Sequence, residues 1–403
     1  MRPNFLLVLL LLIIASVSLK AQVSGSFLQD VRTEIQLPVE AGKNVIKLFS
    51  SNQSVTAVTS NGVFRFKNDI WSGKSTGSNW RTATVDGLGN IWLASSGIIQ
   101  RENSDKKFTL SESAKNDTIF CLFWEDEKTL HVGTSNGLLT WNGKWTIHSE
   151  IKTKVNAIEK DASGNLWVAT TSGLWRRSGG VWVNLDETLM ATGHEMTYYT
   201  LATQNDGKDV LFSSPWSVGC IAENGNHWLV RGADGLPYGP VKVIRPSGNG
   251  LWLGTEKGAI KKDSGWHYFN GRRWLSDDKV NDILPVNLKT VWIATPNGIS
   301  QIQLVEMTLE QKAAIFEENI EQRHNRRGLV NHAYLKIPGD LTTSYTENED
   351  NDGLWTACFL AAECFRYGVT KSDDAKTKAV RTFEALERLE TVTGIPGYPA
   401  RSY

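Results

Sequence analysis

The sequence is poor in cysteine and carries no excess charge of either sign. Its 403 residues include four cysteines, and its 43 basic side chains are balanced by 43 acidic ones. Proteins that bind nucleic acid or an anionic membrane surface usually carry a basic excess, so the composition argues against both partners. With so few cysteines, the chain is not a small scaffold stabilised by disulfides.

The four cysteines are not predicted to form a disulfide with near neighbours. Cys358 and Cys364 lie six residues apart on one predicted helix, about 9 Å along its axis, which is too far for a bridge. Cys121 and Cys220 fall in separate sequence repeats. We interpret all four as buried small hydrophobic side chains, and one disulfide between distant repeats stays open.

Long apolar runs are absent except at the N-terminus. Arg2 is followed by the apolar run Phe5 to Ile14, and small or polar residues then extend to Ala21. This layout is typical of a secretory signal peptide, residues 1–21, and the run is too short to span a bilayer. Without a cysteine near the cleavage point there is no lipobox. The sequence therefore predicts a secreted or periplasmic protein that does not span a membrane.

Motifs for common enzyme chemistry and cofactors are also missing. The seven histidines are scattered, and there is no nucleophile elbow, phosphate loop or paired-cysteine motif. We therefore predict no metal and no cofactor. Asn348 to Gly353 resembles the first half of an EF-hand loop, but Phe359 stands where that loop needs a bidentate Glu. The acidic residues there are better interpreted as the start of a helix.

The chain does contain an internal repeat. Copies include Asn165-Leu-Trp-Val-Ala-Thr-Thr-Ser-Gly173, Gly250-Leu-Trp-Leu-Gly-Thr-Glu-Lys-Gly258, Thr290-Val-Trp-Ile-Ala-Thr-Pro-Asn-Gly298 and Thr129-Leu-His-Val-Gly-Thr-Ser-Asn-Gly137. The Trp position recurs seven times, at residues 56, 92, 131, 167, 211, 252 and 292. A period near forty residues predicts propeller blades of four short strands each.

The seven copies predict a mainly β fold, a seven-bladed β-propeller over residues 22–305. Trp92, Trp167, Trp252 and Trp292, with His131 in the same slot, are expected to be core residues. The seventh repeat contains only three clear strands before the sequence turns helical. We therefore expect its fourth strand to come from the N-terminus, between Gly25 and Pro38, which would close the ring and remove its open edges.

The Leu-Trp-Val-Ala-Thr-x-x-Gly pattern resembles the two-component regulator propeller repeat, over about residues 42 to 305. That repeat forms the periplasmic ligand-sensing region of hybrid two-component systems in bacteria that feed on polysaccharides. Members of the family carry two propellers, a transmembrane helix and a histidine kinase, whereas this chain has one propeller and neither of the others. The resemblance implies a periplasmic sensor-type propeller and leaves its signalling role open.

Residues 306–403 are predicted to form a short all-α arm. Thr308 is a plausible N-cap for a helix from Leu309 to about Arg326, a second helix is expected from about Gly353 to Tyr367, and a third after Ser372. The paired helices resemble the first hairpin of an (α/α) toroid, as found in polysaccharide lyases and glycoside hydrolases. The arm is thus expected to be an incomplete toroid-like segment, with Asp350, Asp352 and Arg401 as possible cleft residues.

The fifth repeat departs most from the template, which makes it the candidate ligand site. Its aromatic and basic residues could stack on sugar rings and meet a carboxylate or sulfate. The predicted ligand-binding residues are His194, Tyr198, Tyr199, Trp216, His227 and Arg231, with Trp228 beside them. The competing interpretation is that these aromatic rings only fill space between blades.

The sequence favours a non-catalytic exported propeller that binds a carbohydrate, an oligosaccharide or polysaccharide, or docks another exported protein. The alternative is a polysaccharide-degrading enzyme, a lyase or glycoside hydrolase that uses the toroid-like arm. A second alternative is a sensor fragment of a hybrid two-component system.

Overall fold

The computed structural model describes residues 25–51, 54–186, 189, 196–248 and 250–403. The predicted signal peptide, its cleavage point after Ala21 and the candidate residue His194 lie outside the described residues. The chain divides into two compact units. One is Asp30–Leu304, and the other contains the chain up to Gln29 together with Val305–Tyr403.

The larger unit is a seven-bladed β-propeller in which each blade is a four-stranded antiparallel sheet. The first strand of the chain, β1 (Ser26–Ile35), is the outermost strand of the seventh blade. From the innermost strand outwards, blade 1 contains β2 (Val45–Ser51), β3 (Ser54–Thr59), β4 (Gly62–Lys67) and β5 (Ile70–Ser75). Blade 2 contains β6 (Thr82–Val85), β7 (Ile91–Ala94), β8 (Ile98–Arg101) and β9 (Lys107–Thr109). Blade 3 contains β10 (Ile119–Trp124), β11 (Leu130–Thr134), β12 (Gly137–Trp141) and β13 (Trp145–Ile147).

The remaining blades follow the same order. Blade 4 contains β14 (Val155–Lys160), β15 (Leu166–Thr170), β16 (Gly173–Ser178) and β17 (Val181–Asn184). Blade 5 contains β18 (Leu201–Gln204), β19 (Asp209–Ser213), β20 (Ser217–Ile221) and β21 (His227–Arg231). Blade 6 contains β22 (Val241–Ser247), β23 (Gly250–Thr255), β24 (Gly258–Lys262) and β25 (Trp266–Phe269). Blade 7 contains β26 (Asp282–Asn287), β27 (Thr290–Thr295) and β28 (Gly298–Thr308), and β1 completes it.

Both the blade count and the closing strand are confirmed. The innermost strands of neighbouring blades contact one another all the way around the ring, including β26 of the last blade with β2 of the first. The N-terminal strand β1 pairs with β28, as expected for the segment between Gly25 and Pro38. Because the N-terminal strand completes the blade built by the last three strands of the repeat, the ring is closed.

The Thr and Gly of the repeat build the turn between the second and third strands. In five blades the Thr hydroxyl donates to the carbonyl oxygen of the Gly three residues later, as in Thr170–Gly173 at 2.8 Å. Gly137 has a φ of 140°, and an added Cβ would lie 2.3 Å from the carbonyl oxygen of Ile151. Only glycine fits such a position without a shift of the backbone.

The ring-bearing anchors Trp92, His131, Trp167, Trp252 and Trp292 are buried, which confirms their predicted core role, and three of them are hydrogen-bonded through a ring nitrogen. The indole N–H of Trp167 donates to Asp161 at 2.8 Å, and that of Trp92 donates to Asp86 at 2.9 Å. His131 makes the equivalent bond, with its Nε2 2.7 Å from Glu125. In each case the acidic residue lies six residues before the ring, so the hydrogen-bond partner of the buried ring nitrogen comes from the same repeat.

In its described residues the second unit contains three α-helices and two small ladders. The helices are α1 (Leu309–Asn319), α2 (Asp352–Thr370) and α3 (Asp373–Thr391). Thr308 caps α1, with Gln311 completing a capping box, and Ser372 caps α3. The ladders pair β29 (Asn325–Arg326) with β30 (Leu329–Val330), and β31 (His332–Leu335) with β32 (Ser344–Glu347).

Two details of this arm differ from the sequence prediction. The first helix does not run to Arg326, because α1 ends at Asn319 and a π-helical turn continues to His324. The arm is also not all-α, since Arg327 and Gly328 both have positive φ and turn the chain into the first ladder. Two such residues form a tight hairpin turn, which the sequence signals weakly without the usual Asn-Gly pair.

The cysteines are all free thiols. Cys220 is buried and Cys121 half-buried, and burial raises the pKa of the Cys121 thiol to about 12. The interpretation of all four as buried is wrong for Cys358 and Cys364, which are exposed on α2. No helix within the described residues is long and apolar enough to cross a membrane.

Candidate functional site

Seven residues, one from each blade, lie at the same end of the innermost strands, at one opening of the central channel. They occupy equivalent positions at the start of the innermost strand: Ile46, Arg81, Phe120, Asn156, Tyr199, Lys242 and Asn281. In four blades a β-bulge interrupts the register at this position. A bulge turns an extra side chain out of the regular alternation of the strand. We call these seven residues the mouth ring.

Two members of the mouth ring hold neighbouring blades together. The amide of Asn156 in blade 4 donates to the carbonyl oxygen of Tyr198 at 2.7 Å. Asn281 in blade 7 donates in the same way to Val45 of blade 1, also at 2.7 Å. These side chains bridge blades through backbone acceptors, so their role in the ring is structural.

Two other members, Phe120 and Tyr199, each have a lysine ammonium group over the aromatic ring, one from Lys154 outside the mouth ring and one from Lys242 within it. The Nζ of Lys242 lies 3.1 Å from the ring centroid of Tyr199, and the Nζ of Lys154 lies 3.9 Å from that of Phe120. Burial lowers the pKa of Lys242 to about 8; Glu256 opposes this, and Lys154 and Lys279 lower the pKa further. Two further lysines thus act on Lys242, and a bound anion would favour its charged form.

A buried ionic cluster lies deeper along the innermost strands. Asp282 is almost fully buried; it accepts from Arg245 at 2.6 Å and from the backbone N–H of Leu48 at 3.0 Å, and Lys47 lies 3.9 Å away. Asp282 raises the pKa of Lys47, but burial and Arg245 outweigh this and the pKa lies below its ordinary value. Burial raises the pKa of Glu159 to about 7.

The predicted fifth-blade residues are spread over several environments. Tyr198 is fully buried and its ring packs edge-on against Phe212, with centroids 5.6 Å apart. Burial, followed by the nearby Asp186, raises the pKa of Tyr198. Tyr199 is a member of the mouth ring, so the structure separates these two adjacent tyrosines into a core residue and a channel residue.

Trp216 lies at the same end of blade 5 as Tyr199. The backbone N–H of Tyr199 donates to Ser213, which ends β19, and Trp216 follows in the turn to β20 with 75% of its surface exposed. Arg231 pairs with Ser217 and so lies at this end too. Its strand is the outermost of the four, however, about 14 Å from β18 at the usual strand spacing.

His227 lies at the other end of blade 5. It pairs with Ile221 at the far end of β20, about 13 Å from Arg231 along the strand. Trp228, its neighbour, is 42% exposed. The structure therefore brings Tyr199 and Trp216 to one face of the propeller and places His227 on the opposite face.

The predicted cleft residues of the helical arm do not line one surface. Asp352 is fully buried, accepts from Asn331 at 2.6 Å and from the backbone of Glu349 at 3.1 Å, and is bonded by Ser402. Asp350 and Arg401 form an exposed ion pair at 3.0 Å. Within the described ranges no group of three or more His, Cys, Asp or Glu is arranged to hold a metal.

Sequence reasoning did not single out Phe120, Lys154 or Lys242. The number of residues between the mouth-ring residue and the anchor residue of the same blade varies, because the turn between the first two strands varies in length. An alignment of the repeats on their first strands would have placed Phe120, Tyr199 and Lys242 at one equivalent position.

The fold is shared with known propellers. The extracellular domain of a hybrid two-component system from B. thetaiotaomicron is 17% identical, with a TM-score of 0.56, and the match covers 80% of this chain and 45% of that domain. A second extracellular domain from B. thetaiotaomicron, of a one-component system, is 15% identical, with a TM-score of 0.55, and the match covers 68% of this chain and 40% of that one. The chain thus spans less than half the length of these domains.

A catalytically inactive virginiamycin B lyase from Staphylococcus aureus, with quinupristin, also matches. It is 13% identical, with a TM-score of 0.57, and the match covers 69% of this chain and all of that protein (100%). No protein-family model and no curated protein matches the chain. At these identities the likeness shows the fold alone. The predicted resemblance to the propellers of sensor-type two-component systems is confirmed at that level.

Proposed function

We propose that the protein is an exported ligand-binding propeller that captures an acidic oligosaccharide at the mouth ring. The observation that carries this proposal is the placement of Lys154 and Lys242 over Phe120 and Tyr199 at one opening of the channel. Aromatic faces can stack on sugar rings, and ammonium groups can bond a carboxylate or sulfate.

The exposed Trp216 supports the same placement. It lies on the face of blade 5 that carries Tyr199 and offers a further ring on which a longer ligand can stack. The propeller fold shared with extracellular sensor domains favours a ligand-sensing or docking role outside the cytoplasm. The signal peptide predicted for residues 1–21 supplies the export that this role needs.

The proposal is tested by titrating the purified protein with uronic-acid and sulfated oligosaccharides in a calorimeter. Replacing Lys242 by Met is expected to weaken binding by about tenfold to a hundredfold, since it removes one charge-assisted hydrogen bond. Lys106→Met is the matched control, because Lys106 also lies over an aromatic ring, 5.6 Å from Trp92, but in the outer turn of blade 2. Equal losses in both variants, or no binding at all, would reject the mouth ring as the site.

The affinity should also depend on pH. Lys242 carries its charge below a pKa of about 8, so binding of an anion should weaken as the pH rises through that value. The same titration in the Lys242→Met variant should lose this step. A step that persists in the variant would assign the pH dependence to another group.

A lyase acting at the same opening is the second candidate. The lowered pKa of Lys242 and its contact with the ring of Tyr199 offer a group that can accept a proton near neutral pH. The two candidates differ in turnover. Release of unsaturated sugar products favours the lyase, and binding without release favours the non-catalytic propeller.

A further inference from the structure

A groove between blades 5 and 6 opens on the face opposite the mouth ring. Its main cavity has a volume of about 490 Å³ and is walled by Trp228, Val230, Leu251, Leu253 and Trp266. Trp228 and Val230 are two residues apart on β21, and Leu251 and Leu253 are two apart on β23, so each pair shares one face of its strand. The cavity therefore lies between the facing surfaces of the two blades.

The groove continues along the same face beyond the main cavity. A second space of about 170 Å³ shares Leu251, Lys262 and Asp263 with the first and reaches Leu288 at the edge of blade 7. Two adjoining spaces on one path suit an extended ligand of several units. A volume of a few hundred Å³ is also the usual size of a small-molecule site.

The register of the blades explains why this space is open. In blade 3 the residues paired with Leu130 are Trp124 and Trp141. In blade 6 the equivalent partners of Leu251 are Pro246 and Lys262. The two indoles of blade 3 pack with Trp92 and Phe108 of blade 2 in a continuous aromatic cluster. Pro246 and Lys262 supply no such rings, and the corresponding space between blades 5 and 6 is open.

The rim of the groove carries one donor and one acceptor side by side. Lys262 donates to the carbonyl oxygen of Asp263 at 3.0 Å, and its ammonium lies 5.2 Å from the ring of Trp266. Asp263 is held by Lys261 at 3.1 Å and by the backbone N–H of Gly265 at 3.1 Å. The Nε2 of His267 lies 3.2 Å from the same carboxylate. A hydroxyl group both donates and accepts, so it can bond Lys262 and Asp263 together.

From this geometry we infer that the groove binds a neutral oligosaccharide, with a sugar ring stacked on the indole of Trp228 and hydroxyl groups bonded at Lys262 and Asp263. The site is separate from the mouth ring, which selects for negative charge. It gives the propeller two carbohydrate surfaces of different chemistry on its two faces.

The experiment is a calorimetric titration of the full chain with neutral hexasaccharides, namely cellohexaose, mannohexaose, xylohexaose and maltohexaose. Binding of at least one of them is expected. Trp228→Ala should weaken it by about tenfold or more through loss of the stacking surface, and Trp228→Tyr should restore part of the loss. Asp263→Asn, which keeps an acceptor oxygen, should have a smaller effect.

Trp355→Ala is the matched control, because Trp355 is 47% exposed and lies on helix α2 of the other unit, against 42% for Trp228. It should leave the affinity unchanged. The inference is overturned if none of the four sugars binds at millimolar concentration, or if Trp228→Ala and Trp355→Ala have equal effects. Circular dichroism of each variant separates lost binding from lost fold.

The neutral sugars also separate this inference from the function proposed for the mouth ring. Lys242→Met should leave their binding intact. If the Lys242→Met variant no longer binds the neutral sugars, their site is the mouth ring, and the inference that they bind in the groove is overturned. If only the acidic oligosaccharides fail to bind, the function proposed for the mouth ring is rejected and the inference about the groove is unaffected.

Discussion

Blade 4 and blade 5 have the same four-stranded architecture but different sequences. In blade 4 a two-residue turn joins Thr170 to Gly173, and the strands pair directly across it. In blade 5 the equivalent positions are Ser214 and Ser217, where the backbone N–H of Ser214 donates to the carbonyl oxygen of Ser217 at 2.9 Å and the two hydroxyl oxygens lie 2.8 Å apart. The turn has the same length, but serines replace the Thr and the Gly, and it carries the exposed Trp216.

The interior of the two blades differs in the same way. Trp167 of blade 4 is bonded to Asp161, whereas its counterpart in blade 5 is Leu211, which needs no polar partner. Opposite these anchors on the innermost strands are Glu159 in blade 4 and Ala202 in blade 5. The repeat pattern thus marks one way to satisfy a turn and a buried ring, and blade 5 reaches the same fold by another.

The largest expected effect comes from the anchor of blade 4. Trp167 is 2% exposed, and Trp167→Ala should lower the free energy of unfolding by about 3–5 kcal/mol, because it opens a cavity and removes one of the hydrogen bonds to Asp161. Trp216→Ala in blade 5 should change it by less than about 0.5 kcal/mol. Chemical unfolding followed by far-ultraviolet circular dichroism measures both. Similar losses of unfolding free energy in the two variants would contradict the distinction between a buried anchor and an exposed turn residue.

The next effect concerns Glu159. Burial raises the pKa of its carboxyl group from 4.5 to about 7. The folded protein keeps a proton that the unfolded chain releases between these values, so stability should fall as the pH rises from 4.5 to 7. Glu159→Gln removes that cost and should stabilise the protein by about 3 kcal/mol at pH 8 and by little at pH 4.

The Glu159 effect is measured as the difference in unfolding free energy between variant and wild type at several pH values. Glu159→Ala copies the residue found at Ala202 in blade 5 and should show the same loss of pH dependence. A difference that stays constant from pH 4 to pH 8 would contradict the raised pKa.

The smallest effect concerns the turn glycines. Gly137→Ala should destabilise the protein by about 1–3 kcal/mol, since its φ of 140° is unfavourable for alanine and the added Cβ meets the carbonyl oxygen of Ile151. In blade 5, Gly232→Ala is the control, because nothing lies within 4 Å of its added Cβ. Thermal melts of the two variants compare them. An equal shift for both would mean that the turn glycine is not required.

Most of the propeller could be predicted because its repeat records local requirements. Thr170 and Gly173 form their turn within four residues, and Trp167 finds Asp161 six residues away. Such contacts appear in the sequence as fixed spacings. The start of α1 at Thr308 and of α3 at Ser372 could be predicted for the same reason, since a helix cap bonds within its own first turn.

The candidate site could be predicted only in part. Tyr199 was recognised by its place in an irregular repeat, but the adjacent Tyr198 is a core residue, and a β-strand sends neighbours to opposite sides. Lys154 and Lys242 lie 88 positions apart in the chain and come to one opening only because the ring closes. No local pattern records that meeting.

The sequence by itself determined the number of blades, the turns within them, the buried anchors and the closing strand, because each depends on contacts at short and repeated spacing. The tertiary structure alone decided which residues share a face. It brought Tyr199 and Trp216 to one end of blade 5, sent His227 and Trp228 to the other, and left a groove where Pro246 and Lys262 replace indoles. Those outcomes depend on strand register and on neighbouring blades, which lie far apart in sequence and meet only in the folded ring.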